Sequence, residues 1–288
     1  MEPHKWMIEP TRQTEWIDKR GLFLWLALYT GGLGGGLYLV SLYFNNLSGM
    51  IISWLIVAVL KGGFHLMFLG KPWRCWRILS RPQSSWLARG FILVVSFVGF
   101  GAIQIIVSIL FPGTIWEIVF KILSGVMAFG VATYTGFVLN NVKSVPFWNS
   151  SLLPILFFVC GISGGFGLIM LLATHTNNID ISMVESGSRW LLLIYILLVA
   201  MYITIALFKG STGKQSVFEL MRGNSSSFFW IGVIIIGVII PLSAAFSGYF
   251  HYELSILFLL MGVICEIIGG MALRYCILRV GIYQPLLP

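Results

Sequence analysis

Charge is what this chain has least of. Of its 288 residues only 10% are Asp, Glu, Lys or Arg. Soluble domains carry about 25%, so a soluble globular core is excluded. Mean hydropathy is +0.93 and 58% of residues are hydrophobic, the composition of a polytopic membrane protein. The net charge of +8 comes from a shortage of acids, with 18 basic and 10 acidic side chains. Such flanking Lys and Arg orient helices in a bilayer, so no nucleic-acid partner is implied.

Cysteine and histidine are scarce too. Cys75, Cys160, Cys265 and Cys276 lie far apart and form no CxxC. An iron–sulfur cluster needs about four thiolates at close spacing, so none is expected; the four read as small buried hydrophobes. Of the four histidines, His4 lies in the N-terminal arm and His175 and His251 at helix ends. Only His65 sits well inside an apolar pattern. Without a second imidazole at matching depth, no bis-histidine haem is expected, and no metal-ligand set is evident. The first apolar run is too long for a cleaved leader, so no signal peptide is expected.

Apolar length is abundant. A crossing helix needs about 20 apolar residues, and eight runs qualify: roughly 21–45, 49–69, 84–110, 116–140, 151–173, 188–208, 227–249 and 253–279. The expected fold is an all-α membrane protein of eight transmembrane helices, preceded by a polar arm over 1–20. An even count puts both termini on one side. Fifteen cations fall on that side, against Lys121 and Arg189 on the other, with Lys61 inside the membrane. The positive-inside rule therefore places the termini and the loop 70–90 in the cytoplasm of a cell (inner) membrane protein.

GLGGGLYL at 32–39 aligns with GISGGFGL at 161–168, an offset of 129 residues. Small residues let helix backbones approach closely, so packing alone accounts for such a pattern. Recurrence near half the chain length favours two similar four-helix bundles, 21–140 and 141–288, in parallel orientation.

Residues 61–90 concentrate the unusual chemistry. Lys61 and His65, spaced i, i+4, stack on one face of a lipid-buried helix. A charge at the bilayer centre costs about 2.5–3.5 kcal/mol on the lowest scales, which makes such residues site candidates. Lys61 could instead snorkel to an interface, and His65 could hydrogen-bond a neighbouring helix. An imidazole can exchange a proton with a carbonyl or hydroxyl near neutrality, as a quinone head group requires. Beyond them Lys71, Arg74, Arg77, Arg81 and Arg89 interleave with Trp73, Trp76 and Trp86. This stretch suggests head-group contacts by Lys71, Trp73 and Trp86, and partner docking by the arginines.

The fourth run ends ATYTGFVLNN, bringing Tyr134, Asn140 and Asn141 to the same side. Tyr134 can serve a quinone or an interfacial belt; Asn140 and Asn141 can supply amides or cap the helix. In the last run Glu266 precedes Arg274 by eight residues, about 12 Å at 1.5 Å per residue. Both project to one face. Glu117 and Lys121, again i, i+4, form either a local ion pair or, with Glu266 and Arg274, part of a proton path.

Five elements in order resemble the NrfD/polysulfide-reductase membrane subunit family, related to the dimethyl-sulfoxide-reductase anchor. They are TGGLGGGLYL, HLMFLGKPWRCW, SSWLARG, YTGFVL and GGMALRYCILRVG. The resemblance spans nearly the whole chain and agrees with eight helices. It implies a haem-free, cluster-free subunit of an anaerobic respiratory complex that exchanges electrons between menaquinone or ubiquinone and a partner iron–sulfur subunit. That partner would connect to a molybdopterin-type or multihaem catalytic subunit, so this chain alone is not expected to turn over the final substrate. His65 matches the family histidine associated with quinol, and Tyr134 its quinone-proximal tyrosine. Phe68 and Gly90 stand where family carboxylates are common. Well-known members dock their partner on the outer face, the opposite orientation to the cation count. The alternative functions are a secondary transporter, with Pro154 and Pro241 as helix breakers, or a proton-conducting subunit without quinone chemistry.

Overall fold

The computed structural model describes residues 7, 9–80, 82–173, 179–250 and 256–285. Among these, eight helices are long and apolar enough to cross a membrane. They are α1 (Gly21–Tyr43), α2 (Leu47–Phe68), α3 (Trp86–Leu110), α4 (Ile115–Asn140), α5 (Leu152–Ala173), α6 (Ile181–Leu207), α8 (Phe228–Ile239 continued by Ile240–Phe250) and α9 (Ile256–Arg279). The chain is an integral, multi-pass, all-α membrane protein. A short helix α7 (Gly210–Arg222) lies between α6 and α8 with a buried stripe from Thr212 to Leu220. It is too short and polar to cross.

α6 begins at Ile181, seven residues before the apolar run at 188. Asp180 caps it, accepting hydrogen bonds from the Ser182 and Met183 amides. Glu185 and Arg189 pair at 2.7 Å one turn apart. Hydropathy alone stops at those charges, whereas a cap and an i, i+4 pair carry the helix through them.

α1 and α5 form the centre and are mostly buried, while α2, α3, α4 and α6 turn most of their surface to lipid. Glycine makes their contact possible. A methyl on Gly36 would meet the Gly161 carbonyl, one on Gly161 the Gly32 carbonyl, and one on Gly165 the Gly36 backbone. Gly32 and Gly161, like Gly36 and Gly165, are equivalent in the 129-residue offset. Around this seam α1 packs on α2, α4, α5 and α9, and α5 packs on α6, α9, α1 and α4.

Two helices widen to π geometry, and each widening has a local cause or consequence. In α8 the Ile240 amide reaches back five residues to Ile235 just before Pro241, whose missing N–H and ring disrupt the normal ladder. In α2 the π stretch is Ile56–Lys61, so the extra residue of the turn ends at Lys61. Single π turns are frequent at functional sites.

The terminal segments meet on one face. Strands β1 (Thr11–Arg12) and β2 (Ile282–Tyr283) pair antiparallel, Thr11 opposite Tyr283. The Gln13 side chain donates to the Leu278 carbonyl at 2.7 Å, and the Trp148 indole donates to that of Ile277 at 2.7 Å.

Candidate functional site

α2 reaches this terminal face carrying Lys61 and His65. Lys61 is only 2% exposed. Its ammonium donates to the Tyr134 hydroxyl on α4 at 2.5 Å and to the Ala27 carbonyl on α1 at 3.3 Å, and lies 4.7 Å from the Tyr134 ring centre. The side chain therefore runs inward between helices rather than snorkelling to the interface. Two glycines make room for this pair. A methyl on Gly31 would meet the Lys61 side chain, and one on Gly90 would meet the Tyr134 ring. At Gly90 the Tyr134 ring occupies the space a side chain would need.

Lys61, His65 and Tyr134 line one cavity of about 250 Å³ between α2, α3 and α4. Leu24 and Phe91 contribute to its apolar wall. Leu66, Leu87 and Val95 also line it and are about half exposed on the lipid-facing surface, so its mouth opens toward the bilayer. The Tyr134 oxygen accepts from Lys61, which leaves its own proton available to the cavity. Nδ1 of His65 is buried without a well-formed hydrogen bond, and the Lys61 carbonyl one turn back lies beside the ring. A buried polar atom so weakly satisfied can take a hydrogen bond from water or a ligand. A few placed donors in an apolar, lipid-accessible pocket fit the head group of a membrane quinone.

Between α2 and α3 a 3₁₀ helix, Pro72–Ser80, covers the cavity. Cys75 and Ile78 face it, while Trp73 and Trp76 point away, 93% and 64% exposed. Lys71, Arg74 and Arg77 are exposed beside them. Sequence reading treated this stretch as a loop; a proline start and an i, i+3 inner edge were its only helical signals.

Other candidates lie elsewhere. Lys71, Trp73, Trp86 and Asn140 are not among the residues lining the cavity. Trp86 stacks on Phe137 with centroids 4.6 Å apart and Arg89 lies 4.8 Å over its ring. Arg89 also donates to the Pro82 and Gln83 carbonyls, holding its own loop. Asn140 offers its carbonyl to the Asn149 side chain at 2.6 Å. Arg81, His4, His175 and His251 lie outside the described residues.

Glu117 and Lys121 form a 2.8 Å ion pair on the face opposite the termini. Glu117 also accepts from Ser108 and the Gly113 amide, and Lys121 donates to Asn45, so the pair is locally closed. Arg274 is 1% exposed and donates to the Leu28 and Phe157 carbonyls, with its guanidinium 4.4 Å over the Phe157 ring. It belongs to the interior and leaves the tally of interfacial cations. Glu266 accepts from Ser163 of α5. Among the described residues, no three His, Cys, Asp or Glu side chains gather as a metal site. Pro154 stands in the first turn of α5, where proline breaks nothing, so it is not the midplane break a carrier would use.

Comparison with known proteins identifies the family. The family described as "Polysulphide reductase, NrfD" matches residues 21–285. The chain belongs to the NrfD/polysulphide reductase family. It is 29% identical over 174 residues to the C subunit of polysulfide reductase from Wolinella succinogenes, a match covering 56% of this chain and 53% of that relative. It is 26% identical over 283 residues to the protein NrfD homolog of Haemophilus influenzae, covering 82% and 85%. To protein NrfD of Escherichia coli it is 27% identical over 256 residues, covering 78% and 79%. In this chain the five motifs fall on the central α1 seam, the end of α2 with the 3₁₀ cover, the start of α3, α4 around Tyr134 and α9 around Arg274.

Proposed function

We propose that this chain is the quinone-reactive membrane subunit of an oxidoreductase complex, exchanging electrons between the quinone pool and a partner iron–sulfur subunit. The observation that carries the reading is the convergence of Lys61, His65 and Tyr134 on one apolar cavity open to lipid. When bound there, a quinone supplies two-electron, two-proton redox chemistry. Tyr134 donates a hydrogen bond toward the cavity while Lys61 holds its oxygen, and His65 offers an imidazole that can take or give a proton. The surrounding Leu24, Phe91 and Val94 side chains exclude water and favour the isoprenoid-bearing ligand over a polar one.

With no haem expected in the chain, electrons pass directly between the cavity and a partner. The 3₁₀ cover is the short way out, since Cys75 and Ile78 touch the cavity while Trp73, Arg74, Trp76 and Arg77 present an aromatic, basic outer face. Through the iron–sulfur subunit the complex connects to a molybdopterin-type or multihaem catalytic subunit. The halves 21–140 and 141–288 are similar bundles joined at the α1–α5 glycine seam, with quinone chemistry in the first. The cation distribution supports a cytoplasmic terminal face.

His65→Ala in the assembled complex tests the assignment. Quinol-coupled turnover is expected to fall about a hundredfold, while a soluble-dye assay on the catalytic partner stays intact. Unchanged quinol turnover would remove His65 from the site.

A further inference from the structure

The short helix α7 neither crosses the membrane nor reaches the quinone pocket, yet its two faces are sharply divided. Thr212, Gly213, Ser216, Val217 and Leu220 are buried, packed toward α6, the start of α8 and β2. Ser211, Lys214, Gln215, Phe218 and Arg222 are exposed. At 3.6 residues per turn this exposed set falls on one side of the helix. Phe218 is at its centre, with Lys214 one turn before it and Arg222 one turn after.

The outward charge of α7 is all positive. Glu219 is its single carboxylate, and Arg12 of the N-terminal arm pairs with it. Among the described residues, no carboxylate lies within ion-pair distance of Lys214 or Arg222.

Both ends of the helix are tied to the ends of spanning helices. Gly210, at φ +75°, turns the chain from α6 directly into α7, a conformation that glycine adopts readily. In the first turn of α8 the Trp230 indole donates to the Met221 carbonyl, in the last turn of α7, at 3.0 Å. Phe208, just before the turn, is 84% exposed and Phe218 57%. Phe228 and Ile231 of α8 are exposed as well, so the apolar row runs on from α7 into a helix that faces lipid. Exposed rings alternating with cations at the end of a bundle mark a surface lying in the head-group layer. The rings meet the acyl boundary and the cations meet phosphate. The docking face proposed for the iron–sulfur subunit lies elsewhere, on the 3₁₀ cover between α2 and α3.

We propose that the exposed face of α7 binds anionic phospholipid head groups in the leaflet at the terminal face. Lys214 and Arg222 hold the phosphates, and Phe218 enters the acyl boundary between them. Arg12 occupies Glu219, which would otherwise oppose an anion one turn from each cation. Because the face carries cations without a carboxylate of its own, it selects by net head-group charge, favouring anionic lipids over zwitterionic ones. The site stands apart from the quinone pocket and does not depend on it.

The test places the whole complex in phosphatidylcholine vesicles that carry, as a minor component, a photoactivatable lipid. That lipid is either phosphatidylglycerol or phosphatidylcholine with the same acyl chains, and crosslinked peptides are mapped. Label on residues 208–222 is expected from the phosphatidylglycerol in clear excess over the phosphatidylcholine, and the excess should shrink at high salt. Lys214→Gln combined with Arg222→Gln should lower the phosphatidylglycerol label there about thirtyfold, with label on the lipid-facing side of α3 unchanged. Should the double variant fail to assemble, Lys214→Gln alone is expected to lower it about fivefold. Equal label from the two lipids overturns the proposal, and so does an undiminished preference in the variants. Absence of label on 208–222 from either lipid overturns it too. Its return in the chain stripped of partner subunits would give this face to a protein instead.

Discussion

Lys61 and Arg274 hydrogen-bond to adjacent carbonyls of one helix, those of Ala27 and Leu28, one turn before Gly31 and Gly32. Each glycine leaves open the space its cation fills. Residues from the second and last membrane helices thus meet on a single turn of α1. The donors are charged and the acceptors are main-chain oxygens already within a helix, which is how two cations are tolerated so deep in a membrane protein.

Lys61→Met should separate chemistry from folding. The change removes the donors to Tyr134 and Ala27 but keeps an unbranched apolar chain in the same channel. Replacing a buried ionic group with an apolar one is often neutral or stabilising. The complex should therefore assemble with unchanged thermal stability while quinol turnover falls about a hundredfold. An unchanged rate would leave Lys61 a packing residue.

Gly90→Ala is expected to act through Tyr134. A methyl there overlaps the ring, which must swing away from Lys61. Loss of one hydrogen bond worth about 1.4 kcal/mol is about a tenfold effect, to be read in quinol turnover. A second change, Tyr134→Phe, should add little to Gly90→Ala if the two act through one bond.

The α1–α5 seam predicts a contrast among glycines. Gly36→Ala forces a methyl into the Gly161 backbone and should cost about 1–3 kcal/mol of stability. A methyl on Gly99 meets nothing within 4 Å, and Gly99→Ala should stabilise α3 by up to about 1 kcal/mol. Thermal unfolding in detergent measures both.

Glu117→Gln is expected to leave quinol turnover unchanged. Its partners Lys121, Ser108 and the Gly113 amide close a local cluster, apart from the residues that line the cavity. A loss of turnover in this variant would bring the 117–121 pair into the chemistry.

The outer face of the 3₁₀ cover should govern assembly rather than folding. Trp76→Ala combined with Arg77→Glu removes one exposed ring and reverses one exposed charge. Co-purification of the iron–sulfur subunit should fall while the isolated chain keeps its thermal stability. Full retention of the partner would move docking elsewhere on the surface.

The helices were legible because apolar length and cation placement act locally. The convergence of His65, Lys61 and Tyr134 on one cavity was legible because a titratable group in an apolar run is costly, and parity put them on one face. Lys71, Trp73 and Asn140 do not line the cavity, because a polar residue near it in sequence need not face it. The roles of Gly31, Gly32 and Gly90 were hidden. A glycine signals close approach, but only the three-dimensional packing shows that the approaching atoms are an ammonium, a guanidinium and a phenol ring. Arg274 counted as interfacial by position, and only its carbonyl partners reveal it as buried.

Photolabelling the assembled complex with an azido-quinone, followed by peptide mapping, tests the central claim most directly. The account predicts label on residues 62–69 of α2 and 87–95 of α3, lost when excess quinone competes. Competable label confined to α6 and α8 around Trp190, with none on α2 or α3, would contradict it.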